Sequence, residues 1–264
     1  MSDFKQKYGP WALVTGASSG LGAEFVRQIS ARGLNTVLVA RRRERMEGLS
    51  DRVREAYGVR TRIVSVDLTE ENACHRVIEE TGDLEIGLLV NNAGYGLSGA
   101  YPTCDPDRQV KMVVLNCVVP VLLTNGFLPP MLKRGRGGIL FLASTASYQA
   151  TPYLSAYGAT KAFNLMLGEA LWKECRESGI DVLALSPGFT RTEFARVANI
   201  EDGAPLRQAA PGAVVATGLR SLGRRPSVVH GLVNKALNFS VRLLPRRAAI
   251  AITAAMLRKR ARTL

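Results

Sequence analysis

Residues 11–22 read Trp11-Ala12-Leu13-Val14-Thr15-Gly16-Ala17-Ser18-Ser19-Gly20-Leu21-Gly22 and run into an amphipathic stretch from Ala23 to Arg32. The first five are apolar and β-branched without polar alternation, the pattern of a strand buried on both faces. Three glycines in the next seven residues let the backbone approach a ligand closely, and the helix that follows turns its free amides and dipole toward that spot. Strand, glycine turn and helix in this order form a seat for a dinucleotide pyrophosphate. An ordinary strand-to-helix turn has the same outline.

Working outward, further short apolar runs recur at Asn35 to Ala40, Thr61 to Val66, Gly87 to Asn91, Gly138 to Ala143 and Ile180 to Ser186. The segments between them are long enough to hold helices. Hydrophobic strands alternating with helices predict an α/β fold with a doubly wound, Rossmann-like parallel sheet covered by helices on both faces. No linker or composition break divides the 264 residues, so the expectation is a single dinucleotide-binding catalytic domain over 1–264, with 228–264 as a C-terminal helical extension. The first ten residues hold Asp3, Lys5 and Lys7 and no apolar run, which predicts neither a secretory signal nor a membrane span at the front, and a cytoplasmic protein. Cys74, Cys104, Cys117 and Cys175 form no C-x-x-C pair and only His75 and His230 can join them, so no metal site is expected. The formal charge of +13 is spread over separate basic clusters without aromatic interleaving, a pattern that argues against nucleic acid.

The chemistry concentrates further along. Tyr157 and Lys161 stand four residues apart, on one face of a helix, where an ammonium can favour ionisation of a phenol and make it an acid or base near neutrality. Ser144 lies thirteen residues upstream of Tyr157, just past a strand, at the sheet edge where α/β proteins bind ligands, so its hydroxyl can hold a substrate oxygen. After the second strand, Ala40 stands where an NAD-selecting carboxylate would fall, and Arg41 can accept the 2′-phosphate of NADP(H); Arg42 and Arg43 also read as a solvent-facing helix start. Asp67 closes the third strand, either as an acceptor for an adenine amino group or as a helix cap ahead of Glu70. Asn116 sits inside a helical stretch, where a buried amide needs partners or marks a helix bend.

Thr15-Gly16-x-x-x-Gly20-x-Gly22, Asn91-Asn92-Ala93-Gly94, Asn116, Ser144, Tyr157, Lys161 and Ser186-Pro187-Gly188, in this order, resemble the signature of the short-chain dehydrogenase/reductase family over roughly residues 9 to 230. Lys7 to Ala12 and Leu243 to Arg247 resemble the branch that holds 3-ketoacyl reductases and 17β-hydroxysteroid dehydrogenases. The resemblance implies an NADP-dependent oxidoreductase interconverting a hydrophobic ketone and a secondary alcohol, of the 3-ketoacyl or steroid-like kind. It makes Asn116, Ser144, Tyr157 and Lys161 the catalytic set, with Tyr157 as proton donor, Lys161 also on the nicotinamide ribose, and Asn116 positioning a water in a proton relay. It puts Gly16, Ser18, Ser19, Gly20, Leu21, Gly22, Arg41, Asp67, Leu68, Asn92, Ala93, Gly94, Pro187, Gly188 and Thr192 against NADP(H). Phe189 and Phe194 start a substrate loop or belong to the core. It also implies a homo-oligomer, dimer or tetramer, for which the stripe Phe163, Leu167, Leu171 serves as interface or as core. A catalytically retired NADP(H)-binding sensor and a membrane-associated interaction protein are the rival readings, and the intact catalytic set argues against the first.

The tail sets this chain apart. Val229, Leu232, Val233, Ala236, Leu237, Val241 and Leu244 follow helical spacing, with Asn234, Asn238 and Arg242 on another face. Pro245 suits the first turn of a further helix whose apolar stretch, Ala248 to Leu257, precedes Arg258, Lys259, Arg260 and Arg262. Ten apolar residues are too few to span a bilayer, so the tail is expected to cover the substrate pocket, to lie peripherally on an anionic membrane, or both.

Overall fold

Every residue of the first strand, β1 (Trp11–Thr15), is buried, as its unbroken apolar run requires. In the computed structural model, which describes residues 2–198 and 208–258, this strand stands third in a seven-stranded, wholly parallel sheet of order β3-β2-β1-β4-β5-β6-β7. The other strands are β2 (Asn35–Ala40), β3 (Thr61–Ser65), β4 (Ile86–Asn91), β5 (Gly137–Leu142), β6 (Ile180–Ser186) and β7 (Ser227–Val229). The five later strands expected from the apolar runs are all present, displaced by at most a residue at an end. Val229 is a correction: it belongs to β7, and the helical pattern begins only at Leu232.

Helices cover both faces. They are α1 (Ser2–Tyr8), α2 (Gly20–Ser30), α3 (Arg43–Tyr57), α4 (Ala73–Glu79), α5 (Pro106–Val113), α6 (Val119–Arg134), α7 (Ser155–Cys175), α8 (Phe194–Val197), α9 (Pro211–Ser221), α10 (Leu232–Ser240) and α11 (Arg246–Arg258). One core layer joins Phe25, Val26 and Ile29 of α2 to Met46 of α3 and Val214 of α9 against the sheet. The opposite layer joins Val77, Leu123, Phe127 and Met131 of α4 and α6 to Phe141 and Val182. Leu167 and Leu171 of α7 pack on that second layer, while Phe163 and Met166 of the same helix stay exposed. The stripe thus divides between core and surface, because a helix on a sheet can turn only part of its circumference inward.

A single π turn, Val114–Val118, joins α5 to α6 and contains Asn116, which is the bend the buried amide suggested. The run Pro106–Arg134 is long and apolar enough by length and composition to cross a membrane; in the fold α6 buries Leu123, Phe127 and Met131 on the sheet. The basic residues Lys259, Arg260 and Arg262 lie outside the described residues.

Candidate active site

The order of the sheet reverses between β1 and β4, and loops leaving these two strands diverge to open a crevice at their carboxyl ends. Thr15 and Asn92 tie its floor together. The Asn92 side-chain amide donates to the Thr15 carbonyl at 2.7 Å, and the Asn92 and Ala93 backbone amides donate to Thr15 Oγ1 at 3.0 and 2.9 Å. Gly16 and Gly20 take the left-handed conformation, with φ of +68° and +55°. A Cβ on Gly22 would run into the Gly16 carbonyl, so the turn closes only with glycine there.

Above this turn lies a groove of about 530 Å³ lined by Gly16, Ser18 to Gly22, Arg41, Arg42, Asp67, Leu68, Asn92 to Gly94 and Thr192. Arg42 donates to Ser19 Oγ at 2.7 Å and to Ser18 Oγ at 3.1 Å, whereas Arg41 turns toward Asp67 at 3.4 Å and is mostly exposed. The positive charge at the mouth therefore comes from both arginines, and Arg42 is not the plain helix-start residue that its sequence position allows. Glu193 holds Arg42 and Arg45 at 2.9 Å each, and these two guanidinium groups hold its carboxyl down to about 2. Asp67 corrects another expectation. Its carboxylate accepts from Thr69 N at 3.0 Å and Thr69 Oγ1 at 2.8 Å in a local turn, while α4 starts later, after Asn72, so Asp67 caps a turn and not a helix. Burial pushes its pKa upward, but the Thr69 bonds and Arg41 together bring it below the ordinary carboxylate value.

The groove opens into a second cavity of about 320 Å³ whose floor carries Ser144, Tyr157 and Lys161, with Pro187 and Gly188 on its wall. Ser144 begins a 3₁₀ turn, Thr145–Tyr148, immediately beyond β5; its hydroxyl accepts from Ala146 N at 3.1 Å and acts to lower the pKa of the Tyr157 phenol. Ser144 thus caps the turn and lines the cavity at once. Gly158 is required beside Tyr157, because a Cβ there would strike Thr151 Oγ1. Lys161 donates to the Leu142 carbonyl at 2.7 Å and stands 5.9 Å from the Tyr157 ring centre.

Asn116 lines neither space. Wholly buried behind Gly94, it accepts from Tyr95 N at 3.2 Å and donates to the Tyr95 carbonyl at 3.0 Å and to Thr160 Oγ1 at 2.9 Å. A Cβ on Gly94 would sit 2.7 Å from Asn116 Oδ1, so this glycine lets the two loops close.

Electrostatics correct the simple picture of a lysine lowering a tyrosine. Burial raises the Tyr157 phenol to about 12, with only the Ser144 bond opposing, and burial lowers Lys161 to about 8. In this apolar floor desolvation outweighs the attraction expected from four-residue spacing. Tyr157 accordingly holds its proton at neutral pH, the state a proton donor needs.

The tail forms the roof. Leu237, Val241 and Leu244 of α10 and the segment after it, with Ala249, Ile252, Thr253, Met256 and Leu257 of α11, complete the cavity wall. Leu257 packs in the same cluster as Tyr157, Leu154, Phe189 and Phe194. The polar face assigned to α10 is corrected: Asn234 and Asn238 also line the cavity, and Leu232, Val233 and Phe239 point to solvent. Spacing reveals that a helix has two faces, not which one meets the body of the protein.

Residues 10–202 match the model of the short chain dehydrogenase family. The chain belongs to this family of oxidoreductases. A very-long-chain 3-oxoacyl-CoA reductase from Macaca fascicularis is 30% identical over 243 residues, covering 90% of this chain and 76% of that protein. A 7beta-hydroxysteroid dehydrogenase structure superposes with a TM-score of 0.88 at 28% identity over 95% of this chain and 99% of that one. A short-chain dehydrogenase from Sphingobium yanoikuyae in complex with NADPH superposes at 0.80, with 32% identity over 89% of this chain and 94% of that one. Similarity to these relatives places the chain in the branch of 3-ketoacyl reductases and hydroxysteroid dehydrogenases. The 0.88 superposition covers more than the family model, which ends before α9, α10 and α11.

The Lys161 amine provides a pH test. Its folded-state pKa of about 8 lies below the ordinary 10.5, so between these values the unfolded chain binds the extra proton and stability improves as pH rises. Lys161→Met removes this dependence. The melting temperature of the variant minus that of the unsubstituted protein should fall between pH 8 and the onset of tyrosine ionisation near pH 10. A difference that stays flat by scanning calorimetry would mean that burial does not burden the amine.

Proposed function

We propose that this protein is an NADPH-dependent carbonyl reductase interconverting a hydrophobic ketone and its secondary alcohol. The observation that carries the reading is the meeting of Ser144, Tyr157 and Lys161 where the glycine-lined groove opens into an apolar cavity. Residues in the groove fit a dinucleotide phosphate: its glycine turn has no room for a side chain at Gly22, Ser18 and Ser19 carry hydroxyls at a helix start, and Arg41 and Arg42 supply positive charge with no carboxylate at Ala40. The NADPH complex of a 32% identical relative supports the same cofactor.

When bound, NADPH would supply the hydride. The chain's residues do the rest. Ser144 Oγ orients the carbonyl oxygen, and the protonated Tyr157 phenol, on the same cavity floor, gives that oxygen its proton. Lys161, held by the Leu142 carbonyl, keeps an ammonium on the cavity floor, where a ribose hydroxyl reaching in from the groove can accept from it. Asn116 acts as a positioning residue, clamping the Tyr95 backbone and Thr160 so that Gly94 and Lys161 keep their spacing. The α10 and α11 roof excludes water from the ketone, and the chain works as one catalytic domain with these two helices as its cover. Val110, Val113, Val118 and Leu122 are exposed along α5, the π turn and α6, and Phe163 and Met166 are exposed on α7, which packs against α5 and the π turn; these apolar side chains suit contact with a second copy.

The outer side of α10 favours a second location for the same enzyme. Leu232, Val233, Phe239 and Leu243 are 81%, 61%, 62% and 73% exposed, and Lys235, Arg242, Arg246 and Arg247 are exposed around them. Apolar side chains ringed by cations fit the headgroup region of an anionic membrane, touched without being spanned.

Arg41→Ala and Arg42→Ala should each erode the preference for NADPH over NADH by about tenfold to a hundredfold, the worth of a charged hydrogen bond, with little change for NADH. Equal affinities in the unsubstituted protein, measured by fluorescence titration, would overturn the cofactor assignment. Tyr157→Phe should lower turnover of a hydrophobic ketone by about 10² or more with NADPH binding retained. Near-normal turnover would mean that another group supplies the proton. In flotation assays the protein should rise with anionic liposomes at low salt, less so at high salt, and lose this with Phe239→Glu; flotation with no vesicle would remove the membrane reading.

A further inference from the structure

Two amides on the cavity wall have nothing to bond. Asn238 is 91% buried in α10, yet its Nδ2 has no hydrogen-bond partner, and the buried Oε1 of Gln149 has none either. Neither side chain makes a hydrogen bond among the described residues. Both line the cavity above Ser144 and Tyr157. The elements that carry them are packed together, α10 lying on the 3₁₀ turn Thr145–Tyr148, which Gln149 terminates. The surroundings are apolar, with Leu237, Val241 and Leu244 on the same roof.

An amide removed from water without a partner costs roughly 1–3 kcal/mol, and two on one wall are an unusual burden in an otherwise apolar pocket. Other polar groups nearby are satisfied: Asn234 donates to the His230 carbonyl at 2.8 Å and Thr253 to the Ala249 carbonyl at 2.8 Å. Rotation about its last torsion lets either amide offer a donor or an acceptor. A hydroxyl, which both gives and accepts, is matched by the pair together.

We propose that Asn238 and Gln149 form a second polar subsite that takes an oxygen function of the substrate remote from the reacting carbonyl, so that the preferred substrate is a hydroxylated ketone on a bulky apolar skeleton. The proposal rests on the ketone reading above and refines it. Reaction occurs at Ser144 and Tyr157, the skeleton lies along the roof, and the distant hydroxyl fixes which carbonyl enters and which face it presents. A ketone lacking that oxygen would leave both amides unpaired, and the loss appears as discrimination between the two.

Calorimetric titration of the full chain, free of cofactor, with 2-decalone and with a set of its ring-hydroxylated derivatives isomeric with one another reads the subsite without turnover, since neither a hydride donor nor a hydride acceptor is then present. At least one isomer should bind about tenfold or more tightly than 2-decalone, the worth of one or two buried hydrogen bonds. Asn238→Leu and Gln149→Leu should each bring that isomer close to the parent while 2-decalone binds as well or better; Asn238→Ala serves if the larger side chain disturbs folding. Isomers that all bind like the parent, or a preference that survives both substitutions, would overturn the subsite. Turnover with NADPH is scored separately. A hydroxyl preference without reduction of any ketone counts against the catalytic reading alone, and reduction without preference counts against the subsite alone.

Discussion

The hydrogen bonds joining Thr15 to Asn92 and Ala93 hold the rest of the site in place. They fasten the loop after β1 to the loop after β4 where the strand order reverses. With these loops fixed, Gly16 and Gly22 approach to backbone contact, Gly94 comes against Asn116, and Asn116 secures Thr160 one residue before Lys161. A side chain at Gly22 or Gly94 would break the chain of contacts at a point with no slack, since backbone or a fully buried amide stands on the other side.

Desolvation then sets the chemistry. Tyr157 and Lys161 share a floor closed by α10 and α11, and burial acts on them in opposite directions, favouring a neutral phenol and a less basic amine. The roof therefore does more than shape the cavity. Its apolar cover helps keep the phenol protonated, while the Leu142 carbonyl gives the amine a fixed partner. The same cover leaves the unbonded Asn238 and Gln149 costly in an empty cavity, and under the proposed subsite that cost becomes selection among ketones.

Much of this was legible along the chain. Unbroken apolar runs show parallel strands because helices cover both faces of such a sheet, and the glycine turn after the first strand announces the crevice. Tyr157, Lys161 and Ser144 could be named because the spacing on a helix and the position past a strand are local facts. What escaped was directional. Arg41 and Arg42 are adjacent in sequence, yet one reaches Asp67 and the other Ser18 and Ser19. Asn238 looked like part of a polar surface because its neighbours Leu237 and Val241 supplied an apolar stripe, but α10 lies across the cavity mouth and turns parts of both faces inward.

By itself the sequence determined the parallel α/β architecture, the order of its motifs and the identity of the groups able to handle a proton, since these follow from local periodicity and residue chemistry. Only the tertiary structure decided which face of α10 meets the cavity, which arginine reaches the serine hydroxyls and whether lysine or burial governs the phenol. Each of these depends on groups distant in the chain, through packing and exclusion of water, and neither can be read from spacing along one segment.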